Sequence, residues 1–188
     1  MPVPPYLKIV FVKTLLDSTQ LNITLQRLAH QLVENHLHFT DCAIIGIQPR
    51  GIFLSQRIAE LVKQIIGERH ISYGKLDITF YRDDVHSNYI HVPSVTDIPF
   101  SVENKNVILV DDVLYTGRTI RSAMDALIDF GRPKKVELLV LIDRRFNREL
   151  PIQPDYVGGT VDTILSQKVK VFWKEKDEKD EVVLIDKV

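Results

Sequence analysis

Cysteine is nearly missing from this chain: Cys42 stands alone in 188 residues. One thiol can neither close an intrachain disulfide nor build a cysteine-based zinc site. Long apolar runs are missing too. Nothing approaches the ~18 consecutive apolar residues of a membrane-spanning helix, and no membrane association is expected. Neither sign of charge is in excess. Lys plus Arg number 24 and Asp plus Glu 25, a formal net charge of −1. With no global basic field, any nucleic-acid binding has to come from a local patch. No G-x-x-x-x-G-K-[ST] string occurs, which excludes a P-loop hydrolase. The start, Met1-Pro-Val-Pro-Pro5, lacks the basic region and clean apolar run of a signal peptide, so a cytoplasmic protein is expected. What remains is ordinary. A hydrophobic share of 45% and a charged share of 26% suit one globular domain with a proper core.

The most informative stretch is Val107-Ile-Leu-Val-Asp-Asp-Val-Leu-Tyr-Thr-Gly-Arg-Thr119. Its unbroken apolar start reads as a strand buried on both faces. Asp111 and Asp112 follow at once, then a loop of hydroxyls and amides over 115–119. Ile120, Ala123, Met124, Leu127 and Ile128 then recur at helical spacing. The order is strand, acidic pair, loop, helix.

That order suits a phosphorylated sugar. A helix N-terminus offers unpaired N–H groups and a positive dipole end to a phosphate. Thr116 and Thr119 add hydroxyl donors, and Gly117 lets backbone approach closely. Paired carboxylates can accept bonds from vicinal hydroxyls or hold Mg2+. An acidic motif of a nucleotide hydrolase, or a solvated loop, is the competing reading of the pair.

The rest of the chain repeats the strand-loop-helix theme. Residues 1–16 are Pro-rich, then apolar, and read as an arm or edge strand. Asp17, Ser18 and Thr19 are candidate helix caps. From Leu21, apolar residues at 21, 25, 28, 29, 32 and 33 predict an amphipathic helix carrying Arg27 and His30 on one face. His36 and His38 fit exposed residues near its C-terminus better than a metal pair. Residues 42–47 form a buried strand, Gln48-Pro49-Arg50-Gly51 a loop, and about 52–66 a helix. Such a loop is an anion-binding place in an open α/β sheet. Residues 71–80 read as a strand. The polar segment 82–98 is long enough to be functional. Arg82 in it is either an anion contact or the partner of Asp83 or Asp84. Residues 136–142 form another buried strand, and 168–173 and 181–185 two short ones. The charged run from Lys174 to Asp180 reads as a solvated turn. No internal repeat is seen.

The central string resembles the phosphoribosyltransferase signature. The resemblance implies a type I phosphoribosyltransferase fold: α/β, a central mostly parallel sheet flanked by helices, with a small hood. The domain would span 20–188, after an arm at 1–19. In that family the acids bind the ribose hydroxyls of phosphoribosyl pyrophosphate (PRPP) and the loop its 5-phosphate. Carried over, Asp111, Asp112, Val113, Leu114, Tyr115, Thr116, Gly117, Arg118 and Thr119 bind PRPP. Pro49, Arg50 and Gly51 match the pyrophosphate loop, where a strained or cis peptide is common. Arg82 would reach the pyrophosphate from a flexible loop at 82–98. Asp111, Asp112 and Arg50 are the implied catalytic residues. Mg2+ is the implied cofactor, bound through PRPP and the two acids.

Three further strings narrow the family. Leu76-Asp-Ile-Thr-Phe-Tyr-Arg-Asp-Asp84, the central string with Ala123-Met-Asp-Ala-Leu127, and 143–156 with its Glu-Leu-Pro-Ile core are similar to the PyrR family. The resemblance runs from about residue 20 to the C-terminus. It implies uracil plus PRPP giving UMP plus pyrophosphate, in a homodimer or higher homo-oligomer. It also implies an mRNA-binding regulator of pyrimidine genes. Arg27, His30, Arg144, Arg145 and Arg148 match places where the RNA face of the family is basic. Two departures stand out: Gln26 where Thr is familiar, and Arg-Arg-Phe-Asn after Asp143 where Gly and His are common. The alternatives are an RNA-binding regulator with little enzymatic role and a salvage enzyme for another base, such as a purine.

Overall fold

The computed structural model describes residues 10–37, 39–67, 70–83, 93–164 and 166–187. His38, Asp84, residues 1–9 and most of the expected closing loop (84–92) lie outside the described residues.

Helix α1 (Ser18–Asn35) opens with a capping box. The Asp17 carboxylate accepts from the Gln20 N–H at 2.8 Å, and the Gln20 side chain accepts from the Asp17 N–H at 3.0 Å. Such a cap is worth about 1 kcal/mol. Leu21, Leu25, Leu28, Ala29 and Leu32 are buried along one stripe, as the spacing requires.

Five strands form a parallel sheet in the order β3-β2-β4-β5-β6. They are β2 (Cys42–Ile47), β3 (Ser72–Leu76), β4 (Asn106–Leu114), β5 (Lys135–Arg145) and β6 (Tyr156–Asp162). Helix α2 (Gly51–Ile66) follows β2, and α3 (Arg118–Leu127) follows β4. Side chains alternate across the sheet. Ile44, Ile108 and Val110 face α1 and α2, whereas Ala43, Ile45, Val107 and Leu109 face α3. Each buried Leu, Ile or Val contributes about 1.5–3 kcal/mol. The sheet is therefore covered on both faces, and its inner strands read as continuous apolar runs.

A second sheet is the hood. It is antiparallel, in the order β1-β8-β7. Strand β1 (Val10–Leu16) is an edge strand paired with β8 (Glu181–Lys187), and β7 (Gln167–Phe172) lies on the far side. Chain order reverses between β2 and β4, so their C-terminal ends border the crevice where open α/β sheets take ligands.

Several boundaries differ from the sequence reading. Strand β4 does not stop before the acids; it runs through Asp111 and Asp112 to Leu114, because β5 continues to pair alongside. Strand β3 ends at Leu76, and a single 3-10 turn (Thr79–Tyr81) follows. Strand β6 has no apolar alternation to betray it: Gly158 and Gly159 sit in its middle. His36 is not exposed. Its Nε2 lies 2.6 Å from a Glu137 oxygen, with the side chain 10% exposed. The charged run is only in part the solvated turn expected: Lys174, Glu175, Lys176, Glu178 and Lys179 are exposed, but the run holds the short helix α4 (Lys174–Asp177), and Asp177 bonds to Arg50 while Glu175 and Asp180 bond to Arg57.

Candidate active site

Two loops meet at the crevice. The first follows β2. Its Gln48–Pro49 peptide is cis, and Arg50 is the N-cap residue of α2. Gly51 comes next, against the acidic end of β4. A Cβ there would lie 2.5 Å from the Val110 carbonyl oxygen and 3.3 Å from Asp111 Oδ1. Only glycine permits that approach. It brings the first loop against the acidic pair.

The second loop, 115–119, joins β4 to α3. Gly117 has φ +93°, in the left-handed region that favours glycine. Thr116 anchors the loop: its carbonyl oxygen accepts from the backbone N–H groups of Glu149 (3.0 Å) and Leu150 (3.1 Å). A cleft of about 270 Å3 opens above, lined by Arg82, Asp83, Asp111, Val113, residues 114–120 and Ser122. The structure thus brings Arg82, Asp111 and all the loop residues to one cavity. Asp112 lies on the side of Arg50, whose Nε is 3.4 Å from Asp112 Oδ2. Pro49 is exposed beside it.

The acids are both buried, each 8% exposed. Burial, reinforced by the charge of Asp112, pushes the Asp111 carboxyl well above the usual range, while the Arg82 charge opposes the shift. Burial also raises Asp112, against the pull of Arg50. Asp111 Oδ1 accepts the Asp112 N–H at 2.9 Å. Such a pair calls for cationic or hydroxyl partners. Their oxygens are hard donors of the kind Mg2+ takes, and the donor set fits. Among the described residues no cluster of three or more metal-ligating side chains occurs. Two carboxylates supply only part of an octahedral Mg2+ shell, which usually keeps several waters.

Arg118 stands at the loop, but its head group turns to carboxylates. Nη1 donates to Asp83 at 2.7 Å and Nε to Glu149 at 2.6 Å. Thr116, Gly117 and Thr119 line the cleft beside it.

The five basic residues matched to an RNA face separate into two groups. Arg27 and His30 are exposed on α1, and Arg27 Nη2 donates to the β6 carbonyls of Val157 (3.2 Å) and Gly158 (2.6 Å). Arg145 is exposed at the end of β5, bidentate to Asp162 at 2.7 and 2.9 Å. Arg144 stands apart from these. It is 6% exposed, donates to Thr163 and the Gln167 carbonyl, and lies 3.9 Å over the Tyr115 ring. Strand alternation turns it inward and Arg145 outward. Arg148 is half-buried and bonded to Tyr115 and Asp143. Next to Arg145, Phe146 is 81% exposed. It borders a second cleft of about 440 Å3 with Asp143, Arg148, Ile152 and Val157.

Sequence reasoning missed Asp177, Arg57 and Trp173. Asp177 holds Arg50 at 3.0 Å, and Arg57 pairs with Glu175 and Asp180 at 2.7 Å each. Arg57 also lies 5.0 Å over the buried Trp173 ring. No local signal marks these partners, which lie more than a hundred residues apart in the chain.

Comparison with known proteins supplies the family. The phosphoribosyl transferase domain family matches residues 12–177. The chain is 46% identical to the bifunctional protein PyrR of Latilactobacillus sakei, covering 92% of this chain and 97% of that one. It is 47% identical to the bifunctional protein PyrR of Elusimicrobium minutum, covering 92% and 96%. Among solved structures, the fold is like that of a hypoxanthine phosphoribosyltransferase from Staphylococcus aureus (TM-score 0.65, 19% identity, covering 91% and 90%). The hypoxanthine phosphoribosyltransferase of Trypanosoma cruzi is similar again (TM-score 0.67, 14% identity, 94% and 97%). Among the described residues no helix is long and apolar enough to cross a membrane. An acidic pair in β4, a glycine-turn loop ahead of α3, a parallel sheet with a separate small hood, and relatives alike along nearly the whole length lead to one conclusion: this chain belongs to the PyrR family and has the type I phosphoribosyltransferase fold.

Proposed function

We propose that this protein transfers the phosphoribosyl group of PRPP to uracil, giving UMP and pyrophosphate. The observation that carries the reading is the joint cleft of Asp111, Arg82 and the 115–119 loop, with Asp112 and Arg50 at its flank. The loop's N–H groups and the hydroxyls of Thr116 and Thr119 take the 5-phosphate. Asp111 and Asp112 accept from the ribose hydroxyls and face the positive charge that develops at the anomeric carbon as its C–O bond to pyrophosphate breaks. Arg50 and Arg82 neutralise the departing pyrophosphate. Mg2+, held by PRPP with Asp111 and Asp112, would supply further charge neutralisation. Catalysis is then largely electrostatic and positional; no residue declares itself as an obligatory general base, and the proton of the attacking uracil nitrogen passes to the departing pyrophosphate or to solvent as the new N–C bond forms. Uracil lies toward the 143–152 segment, where the second cleft opens.

UMP formation from uracil and PRPP with Mg2+ tests the reading, with hypoxanthine, guanine and orotate in parallel. UMP from uracil alone is the expected result. Turnover of hypoxanthine or guanine without uracil would make it a purine salvage enzyme. An Asp111→Asn/Asp112→Asn variant with full activity would sink the residue assignment.

A second activity, binding of a pyrimidine-gene mRNA leader by a cytoplasmic homodimer or higher homo-oligomer, is supported by the exposed set Arg27, His30 and Arg145 with Phe146 beside them. Arginine suits phosphate contact and base stacking. Absence of salt-dependent leader binding in the purified protein would count against it.

A further inference from the structure

We propose that Asp177 of the hood is a positioning residue for phosphoribosyl transfer: it fixes the Arg50 guanidinium so that Nε faces Asp112. The inference rests on the assignment of Arg50 to the pyrophosphate made above.

Arg50 is held from two sides. Its Nη2 donates to the Val171 carbonyl and, at 3.0 Å, to Asp177 Oδ2. Its Nε stands 3.4 Å from Asp112 Oδ2. The guanidinium thus bridges the acidic end of β4 and the hood, two parts of the chain that share no sheet.

Asp177 is itself fixed. The same Oδ2 accepts the Trp173 N–H at 3.0 Å, and the Asp177 N–H donates to the Trp173 carbonyl at 2.6 Å. Trp173 is fully buried. Arg57 lies over its ring and ties the flanking Glu175 and Asp180 to α2. The carboxylate that receives Arg50 therefore sits on a segment braced against the helix that Arg50 begins.

The consequence is preorganisation. An arginine side chain gives up much rotamer freedom when it is ordered. Asp177 and Val171 impose that order before substrate arrives. Binding of the pyrophosphate then meets an oriented cation. A different role predicts the opposite sign. Were Asp177 a rival anion occupying Arg50, its removal would tighten pyrophosphate binding.

The test is steady-state kinetics on the full chain with uracil and PRPP, with inorganic pyrophosphate as product inhibitor. Asp177→Ala is expected to raise the pyrophosphate inhibition constant and the PRPP KM about tenfold, with the uracil KM within twofold. Asp177→Asn keeps an acceptor oxygen and should stay within threefold of the parent. In an Arg50→Ala background, Asp177→Ala should add less than twofold. Unchanged or tighter pyrophosphate inhibition in Asp177→Ala overturns the proposal. So do independent, multiplying losses in the double variant, or equal losses in every constant. If Asp177→Ala does not fold, tighter inhibition in Asp177→Asn by more than threefold overturns it alone. Pyrophosphate inhibition untouched by Arg50→Ala overturns the assignment of Arg50, and Asp177 with it. A normal response to Arg50→Ala with none to Asp177→Ala overturns only the role of Asp177.

Discussion

The Arg148 guanidinium donates through Nη1 to the carbonyl oxygen of Tyr115 at 2.6 Å. Its Nη2 bonds Asp143 at the end of β5. One side chain thus ties the 115–119 loop to the loop after β5. A charged hydrogen bond of this kind is worth about 1.5–3 kcal/mol. Arg148→Ala should raise the KM for PRPP by about tenfold or more, and initial-rate measurements at saturating uracil would show it. An unchanged PRPP KM would mean that the loop is rigid without Arg148.

Asp111 sets function against stability. Burial and the neighbouring Asp112 raise its pKa in the folded protein above the ordinary 3.8. The folded state then binds the proton more tightly than the unfolded state. Stability from this group is full below the ordinary pKa and is lost as pH rises through the folded value. Asp111→Asn removes that loss. It should melt higher than the parent at neutral pH, by roughly 2–4 °C per kcal/mol regained, and the gap should close toward pH 4. Activity should fall by at least a hundredfold, of the order expected for lost transition-state stabilisation. Melting curves across pH check the first part and UMP formation the second. A variant that melts lower at neutral pH would contradict the sign.

Glu137 is the reverse case, far from the cleft. Burial pushes its carboxyl up, yet bonds from Lys135, His36 and Tyr156 outweigh burial and hold it below 4.5. Its stabilisation is present above that value and is lost as pH falls through the folded pKa. Glu137→Ala leaves His36 and Tyr156 facing a gap and should cost about 3 kcal/mol. Denaturant unfolding would measure it. Turnover per folded molecule should stay at the parental value, and a selective loss of turnover would tie this end of the sheet to catalysis.

Gly51→Ala tests the packing between the two loops. The added Cβ would press on the Val110 carbonyl at 2.5 Å, so α2 or β4 must shift. Overpacking of this kind costs about 1–3 kcal/mol. The movement carries Arg50 with it, so kcat should fall more than the melting temperature predicts. Kinetics at a temperature well below melting separates the two.

Arg145 and Arg144 are neighbours with opposite fates. Arg145→Ala and Arg27→Ala should weaken leader RNA binding, each lowering the salt slope by about 1 if it neutralises one phosphate. Arg144→Ala should mainly reduce stability, because its partners Thr163, Gln167 and Tyr115 are all internal. Filter binding over a salt series, paired with melting curves, reads both. Equally weakened RNA binding in all three variants at unchanged stability would overturn the division.

Much of this protein is written locally. Apolar runs revealed β2, β4 and β5, because strands buried on both faces need no polar break. Helical spacing revealed α1, α2 and α3, and Asp17 with Gln20 carries its cap within three residues. The acidic pair and the 115–119 loop were legible because strand, acids, glycine turn and helix N-terminus are consecutive. Strand β6 escaped because Gly158 and Gly159 interrupt its pattern, and its register comes from β5 instead. The charged run from Lys174 to Asp180 looked solvated because alternating signs carry no information about distant partners. Only the folded chain decides that Arg50 is shared by Asp112 and Asp177, that Arg57 covers Trp173, and that Arg144 turns inward while Arg145 turns out. The sequence by itself determined the inner strands and the three long helices, since backbone preference and hydrophobic period act over a few residues. The pairing of charges was left to the tertiary structure, because the distance between two side chains depends on how the hood seats on the sheet.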